Sequence, residues 1–125
     1  MGIMNNQPLD LPKIIETLRE FANERDWDQF HSLKNLSVAL TVEASELMEH
    51  FQWLSEQQSN NLSAEQQERV SEEVADVFCY LVRFCDLAAI DLNDAFWKKH
   101  KINREKYPVE LARGSAKKYT DLPSK

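Results

Sequence analysis

The sequence predicts an all-α protein, and three observations carry that expectation. Glycine and proline are scarce, 2 and 4 in 125 residues, while 42% of the residues are hydrophobic. Such a composition suits a helical globular chain rather than a disordered or β-rich one. Apolar residues recur at three- and four-residue intervals over long stretches, and cap-forming residues stand where those stretches begin. At this length the chain makes one domain with a core of its own.

The first helix is expected from Asp10 to about Glu24. Asp10 and Pro12 supply start chemistry, and Ile14, Leu18, Phe21 and Ala22 form the apolar stripe. Residues 25–31 break the pattern. A second helix is expected from Ser32 to about Trp53, with Leu36, Leu40, Glu43, Leu47 and Phe51 along one side. Residues 55–62 read as a polar loop. Ser63 with Gln66 makes a capping-box pattern that opens a third helix running to about Ile90. Its stripe is Val70, Val74, Val77, Leu81 and Phe84, flanked by Glu73 and Asp76. Asp91 and Asp94 start a fourth helix, which stops at Tyr107-Pro108 because the residue before proline leaves the helical region. From Val109 to Lys125 the chain reads as an extended or irregular tail that packs over the body or onto a partner. The expected organisation is therefore a flexible N-terminus at 1–9, a helical domain at 10–108 and a tail at 109–125.

Several classes are excluded. The opening MGIMNNQPLD lacks the basic-then-apolar layout of a signal peptide, and Asn6 stands where myristoylation wants Ser or Thr. The most apolar run, Val74 to Ile90, carries Asp76, Arg83 and Asp86, so it reads as a buried helix and not a membrane span. Cys79 and Cys85, six apart on that helix, point to different sides and cannot bridge each other. They read as core thiols, and a cytoplasmic protein is expected.

Net charge is −6 but unevenly spread: residues 1–97 hold 6 basic and 18 acidic side chains, and residues 98–125 hold 9 basic and 3 acidic. An acidic body with a basic end is unsuited to coating a nucleic acid duplex. It suits a small polyanion gripped by metal on one side and Lys or Arg on the other. A solvated basic helix end that complements its own dipole would look the same.

The chemistry-bearing pattern is a pair of carboxylate pairs, Glu43-Ala-Ser-Glu46 and Glu73-Val-Ala-Asp76. Residues three apart on a helix share a face, so each motif projects two acids together, among apolar neighbours that strip their hydration. With 21 acidic residues in the chain, either spacing alone arises readily on a solvated face. Two such motifs on consecutive long helices point to a divalent cation held between them. Four carboxylates without a nearby thiolate form an all-oxygen site, which favours Mg²⁺ or Mn²⁺. A di-iron bundle would carry Glu-x-x-His on two helices; His50 lies four residues after Glu46, not three.

Glu-x-x-Glu, a gap of 26 residues and Glu-x-x-Asp resemble the metal signature of the MazG-like, all-α nucleoside triphosphate pyrophosphohydrolases. FANERDWDQFH, EASELMEHFQW, EEVADVFCYLV and NREKYPVELARGSAKKYTDLP closely resemble the dCTP pyrophosphatase branch, in order, over roughly residues 10–123. The resemblance implies a four-helix MazG-like bundle assembling as a homotetramer, a dimer of dimers with active sites near subunit contacts. It implies Mg²⁺-dependent hydrolysis of dCTP, or a 5-modified dCTP, to the monophosphate and pyrophosphate, a nucleotide-pool housecleaning activity. Glu43, Glu46, Glu73 and Asp76 would hold the metal. Trp27, Asp28, Gln29, Phe30, His31 and Trp53 would line the base and sugar pocket, and Tyr80 would face the substrate. Glu43 or Glu46 would accept the proton of the attacking water.

Other readings stay open beside these. Lys99, Asn103 and Tyr107 recur every four residues on one face, which suits phosphate and sugar oxygens or a plain amphipathic edge. Trp27, Phe30 and Trp53 sit at helix ends, as base platforms or as lids over a core. His31 is a partner for a base or an ordinary residue at the start of the second helix. The chain departs from the branch at Leu18, where the branch carries a histidine near the base. Leucine cannot hydrogen-bond a base, and losing a polar contact relaxes discrimination. The same chemistry on dUTP or many nucleotides, and a non-catalytic helical oligomer, are the alternatives.

Overall fold

Asp10 opens the first helix as expected. Its carboxylate accepts a hydrogen bond from the Lys13 amide at 3.1 Å, and Leu11–Glu24 (α1) follows with Pro12 in the first turn. The structure, a computed structural model, describes residues 7–123. The expectations for residues 1–6 and for the last two tail residues lie outside the described residues.

The break at residues 25–31 is an ordered turn. Asp26 adopts a left-handed conformation (φ 55°), and the Gln29 side-chain amide donates to both its backbone and its carboxylate oxygens at 3.0 Å. A 3₁₀ turn over Asp28–Phe30 leads to Ser32, whose hydroxyl caps Leu33–Glu49 (α2) by accepting from the Asn35 amide. The second helix thus ends at Glu49, short of Trp53. Ser55 already caps another helix, Glu56–Ser59 (α3), and an N-cap must be extended, so residues 50–54 leave the helix as turns. The expected polar loop therefore contains a capped helical turn.

Ser63 and Gln66 form the expected capping box, at 3.1 and 2.9 Å, and open Ala64–Leu87 (α4). Ala89, left-handed at φ 54°, turns the chain out just before Ile90. Residues up to Ala89 form one unit and residues from Ile90 another.

In the first unit α2 packs along α4, and α1 packs against α4 as well. Ala22, Leu36, Val82 and Cys85 are buried there. The expected stripe on α4 is displaced: Val74 is half exposed, and the deepest α4 positions are Val82, Arg83 and Cys85. That end of the helix is where α1 is tied to it, because Arg19 donates from Nε and Nη2 to the two Asp86 oxygens at 2.7 and 2.5 Å.

In the second unit Asp91 caps Leu92–Lys106 (α5), which ends at Tyr107 before Pro108, as expected. The tail is not simply irregular. It holds a helical turn, Val109–Ala112 (α6), and a 3₁₀ turn, Tyr119–Asp121. Tyr119 packs edge-on to Tyr107 with centroids 6.5 Å apart, and Lys106 Nζ lies 4.6 Å from its ring centre. The described residues are thus all-helical, with six α-helical segments and two 3₁₀ turns rather than four helices and an irregular tail. Among them no helix is long and apolar enough to cross a membrane.

Candidate active site

Glu43 lies on α2, and Glu73 and Asp76 lie one turn apart on α4. Because those two helices pack together, the three carboxylates each bring an oxygen within 4.8 Å of the others. An Oε2 atom of Glu43 and one of Glu73 are buried without a hydrogen-bond partner. Buried carboxylate oxygens are rarely left so, since their lost hydration must be replaced. The Glu43 carboxyl is pushed up to about 7, first by loss of hydration, then by Glu46 and Glu73 beside it and the charge of Asp76. An all-oxygen, strongly anionic cluster with orphaned donor atoms fits a hard divalent cation such as Mg²⁺ or Mn²⁺. Glu46, expected as a fourth ligand, is outside the three converging oxygens and stands next to the Glu43 carboxyl.

Asp76 also belongs to the wall of a cavity of about 270 Å³. Leu18, Phe21 and Ala22 of α1, Trp27 and His31 of the connecting turn, and Cys79, Tyr80 and Arg83 of α4 form the rest of its wall. Trp27 stands edge-on to Phe21, centroids 5.5 Å apart, and keeps 43% of its surface open. Burial, then the charges of Glu43 and Asp76, pushes the Tyr80 phenol up, so it stays a protonated donor near neutrality. Burial, then the charge of Asp76, pushes the Cys79 thiol up as well.

Arg83 is the buried charged member of the cavity wall that the sequence reading did not place there. It is only 7% exposed, yet no part of its guanidinium is idle. Nε donates to His31 Nδ1 at 3.1 Å, Nη2 donates to the Asp28 carboxylate, and Nη1 lies 3.5 Å from Asp86. His31 is held below its ordinary range, chiefly by burial and then by the Arg83 charge. The signal was present: a cation in the most apolar run, close to one helical turn beyond Tyr80 on the face that carries Asp76.

The remaining expected residues do not all gather at the cavity. Asp28 meets it only through Arg83, Gln29 is committed to Asp26, and Phe30 is exposed. Trp53, on the turn after α2, is 87% exposed and outside the cavity wall. In the second unit, Lys99 and Asn103 border one depression on α5, together with Leu92, Ala95, Phe96 and His100. Tyr107 ends that helix against Tyr119.

The chain is similar to several known proteins. dCTP pyrophosphatase 1 of Rattus norvegicus is 48% identical over 106 residues, covering 83% of this chain and 62% of the relative. The Homo sapiens protein of that name is 45% identical with the same coverage. The chain therefore spans less than two thirds of the length of these curated relatives. The crystal structure of a pyrophosphatase from Archaeoglobus fulgidus matches with a TM-score of 0.76 at 34% identity, covering 85% of this chain and 99% of that one. Residues 38–122 match the MazG-like family, and with the carboxylates of α2 and α4 inside that match, the chain belongs to the MazG-like family.

Proposed function

We propose that this chain is a divalent-metal-dependent nucleoside triphosphate pyrophosphohydrolase that converts dCTP, or a 5-modified dCTP, to dCMP and pyrophosphate and so cleans the nucleotide pool of the cytoplasm. The observation that carries the reading is the double membership of Asp76, which lies both in the carboxylate cluster and in the wall of the aromatic-lined cavity. A base held in that cavity would have its phosphates directed towards the acids. The names of the relatives support the same substrate.

Glu43, Glu46, Glu73 and Asp76 would hold Mg²⁺, or Mn²⁺ in its place. When bound, the ion supplies charge neutralisation on the phosphate oxygens and a more acidic water. Glu43 or Glu46 would be the acceptor for the proton of the attacking water. Trp27 and His31 receive the base from the cavity wall, with Asp28, Gln29 and Phe30 in the segment that shapes it, and Tyr80 faces the sugar. Lys99, Asn103 and Tyr107 serve phosphate and sugar oxygens, and Trp53 lines the base and sugar pocket.

A homotetramer, built as a dimer of dimers around four-helix protomers, is part of this reading. Leu33, Val38, Val42 and Met48 on α2 and Val74 on α4 are each about half exposed in the single chain, apolar side chains that a neighbouring subunit would cover. Residues 10–108 would form the catalytic domain and residues 109–125 a tail that packs on it or on a neighbouring subunit. Leu18 in the cavity wall favours a second reading, the same chemistry with relaxed base choice, on dUTP or many (d)NTPs.

The test is pyrophosphate release from each dNTP and from 5-methyl-dCTP, with Mg²⁺ and with chelator. Chelator-sensitive release that favours cytosine nucleotides supports the first reading. Release from several bases selects the second, and no release from folded protein leaves a non-catalytic helical oligomer.

A further inference from the structure

The guanidinium of Arg83 is always protonated and can only donate. Its Nε points at His31 Nδ1, 3.1 Å away, so Nδ1 is the acceptor and the neutral ring must carry its proton on Nε2. The other end of the guanidinium is held by Asp28, which precedes His31 in the same turn, and by Asp86, which is itself gripped by Arg19. The Arg83 side chain thus has no freedom to rotate away from the imidazole. His31 belongs to the cavity wall, and its Nε2 has no partner among the described residues. The walls around it, Leu18, Phe21 and Trp27, offer an apolar slot.

We propose that Arg83 is a positioning residue that locks His31 in the Nε2–H tautomer, so that the cavity presents a fixed hydrogen-bond donor to the edge of a bound base. This deepens the pyrophosphohydrolase reading and rests on it for the identity of the ligand. A fixed donor favours a ring nitrogen that carries a lone pair, as N3 of cytosine does. It opposes one that carries a hydrogen, as N3 of uracil and thymine does. With Leu18 unable to hydrogen-bond, base choice then falls to His31, and through it to Arg83. Without Arg83 the imidazole is free to take either tautomer, and an acceptor nitrogen would face the base part of the time.

The test reads the tautomer and the selectivity separately. Nitrogen NMR of the ring of His31 in the wild-type protein is expected to show one tautomer, protonated at Nε2. A ring protonated at Nδ1, or a mixture, overturns the proposal whatever the enzyme does. In R83M the signals are expected to become those of a mixture. The preference for dCMP over dUMP in equilibrium binding is expected to fall by about tenfold, the worth of one hydrogen bond to a base edge. R83K, which restores a cationic donor, is expected to recover part of that preference. Unchanged selectivity in a folded R83M overturns the proposal. If R83M does not fold, the wild-type tautomer and the R83K selectivity decide. Because monophosphate binding needs no turnover, a protein that hydrolyses no triphosphate would sink the pyrophosphohydrolase reading while leaving this test intact.

Discussion

Glu43 on α2 and Glu73 on α4 bring an oxygen of each within 4.8 Å, and each also keeps an Oε2 atom buried without a hydrogen-bond partner. Two acids so placed repel each other when both are ionised, and at those two oxygens lost hydration is not replaced by a hydrogen bond. The arrangement weakens the metal-free fold and suits a bound cation, so stability and function pull in opposite directions at this point.

Glutamine at either position separates the two effects. E43Q and E73Q are expected to lower magnesium-dependent pyrophosphate release by more than about a hundredfold, beyond what losing an outer-shell partner costs a metal site. In chelator, both variants are expected to be more stable than wild type by about 1 kcal/mol, a rise of roughly 4 °C in thermal midpoint. A lower midpoint for both variants would show that the two carboxylates are not strained in the metal-free chain.

The pH dependence of stability has a definite sign here. Folding favours the protonated form of Glu43, whose carboxyl is pushed up from 4.5 to about 7. Its contribution is complete below the ordinary glutamate range and is lost as pH rises through the folded-state value. In chelator the thermal midpoint is therefore expected to fall between about pH 5 and about pH 8. The E43Q variant should flatten that slope, and saturating Mg²⁺ should offset it in the wild type.

Asp86 behaves in the opposite sense. Hydrogen bonding from Arg19, reinforced by the charges of Arg19 and Arg83, holds its carboxyl below the usual range. Its contribution is present at neutral pH and is lost as pH falls through that lowered value. D86N is expected to cost about 1–3 kcal/mol in urea unfolding near neutrality, since it leaves buried donors of Arg83 less well paired. The difference between D86N and wild type should shrink in acid. R19A, which removes a largely exposed partner, should cost less.

Trp53 gives a test of assembly. Its side chain is almost wholly exposed in the single chain, so W53A should change urea stability by less than about 0.5 kcal/mol, as surface substitutions do. If the ring stacks on a base within the oligomer, KM should rise about tenfold, in line with about 1–3 kcal/mol of stacking. An unchanged KM would remove Trp53 from the binding surface.

Much of the fold was legible because its signals are local. Asp10, Ser32, Ser63 and Asp91 each accept from an amide three residues on, so the helix starts could be read within one turn of sequence. The capping box at Ser55 and Gln58 is of the same kind and sits in the stretch read as a loop. Its presence explains why α2 ends before Trp53. The stop at Tyr107 was legible from Pro108, whereas the left-handed turn at Ala89 has no glycine to announce it.

By itself the sequence determined the helical class, the helix starts and the two carboxylate pairs, since each depends on residues within about four positions of one another. Only the tertiary structure decided which acids converge, leaving Glu46 beside the trio of Glu43, Glu73 and Asp76. It also decided that Val74 is open to solvent, that Trp53 lies outside the cavity and that Arg83 is buried against His31, Asp28 and Asp86. Those outcomes rest on how α1, the 25–31 turn and α2 pack on α4. Burial and ion pairing depend on contacts between segments far apart in the chain, which no local pattern of residues contains.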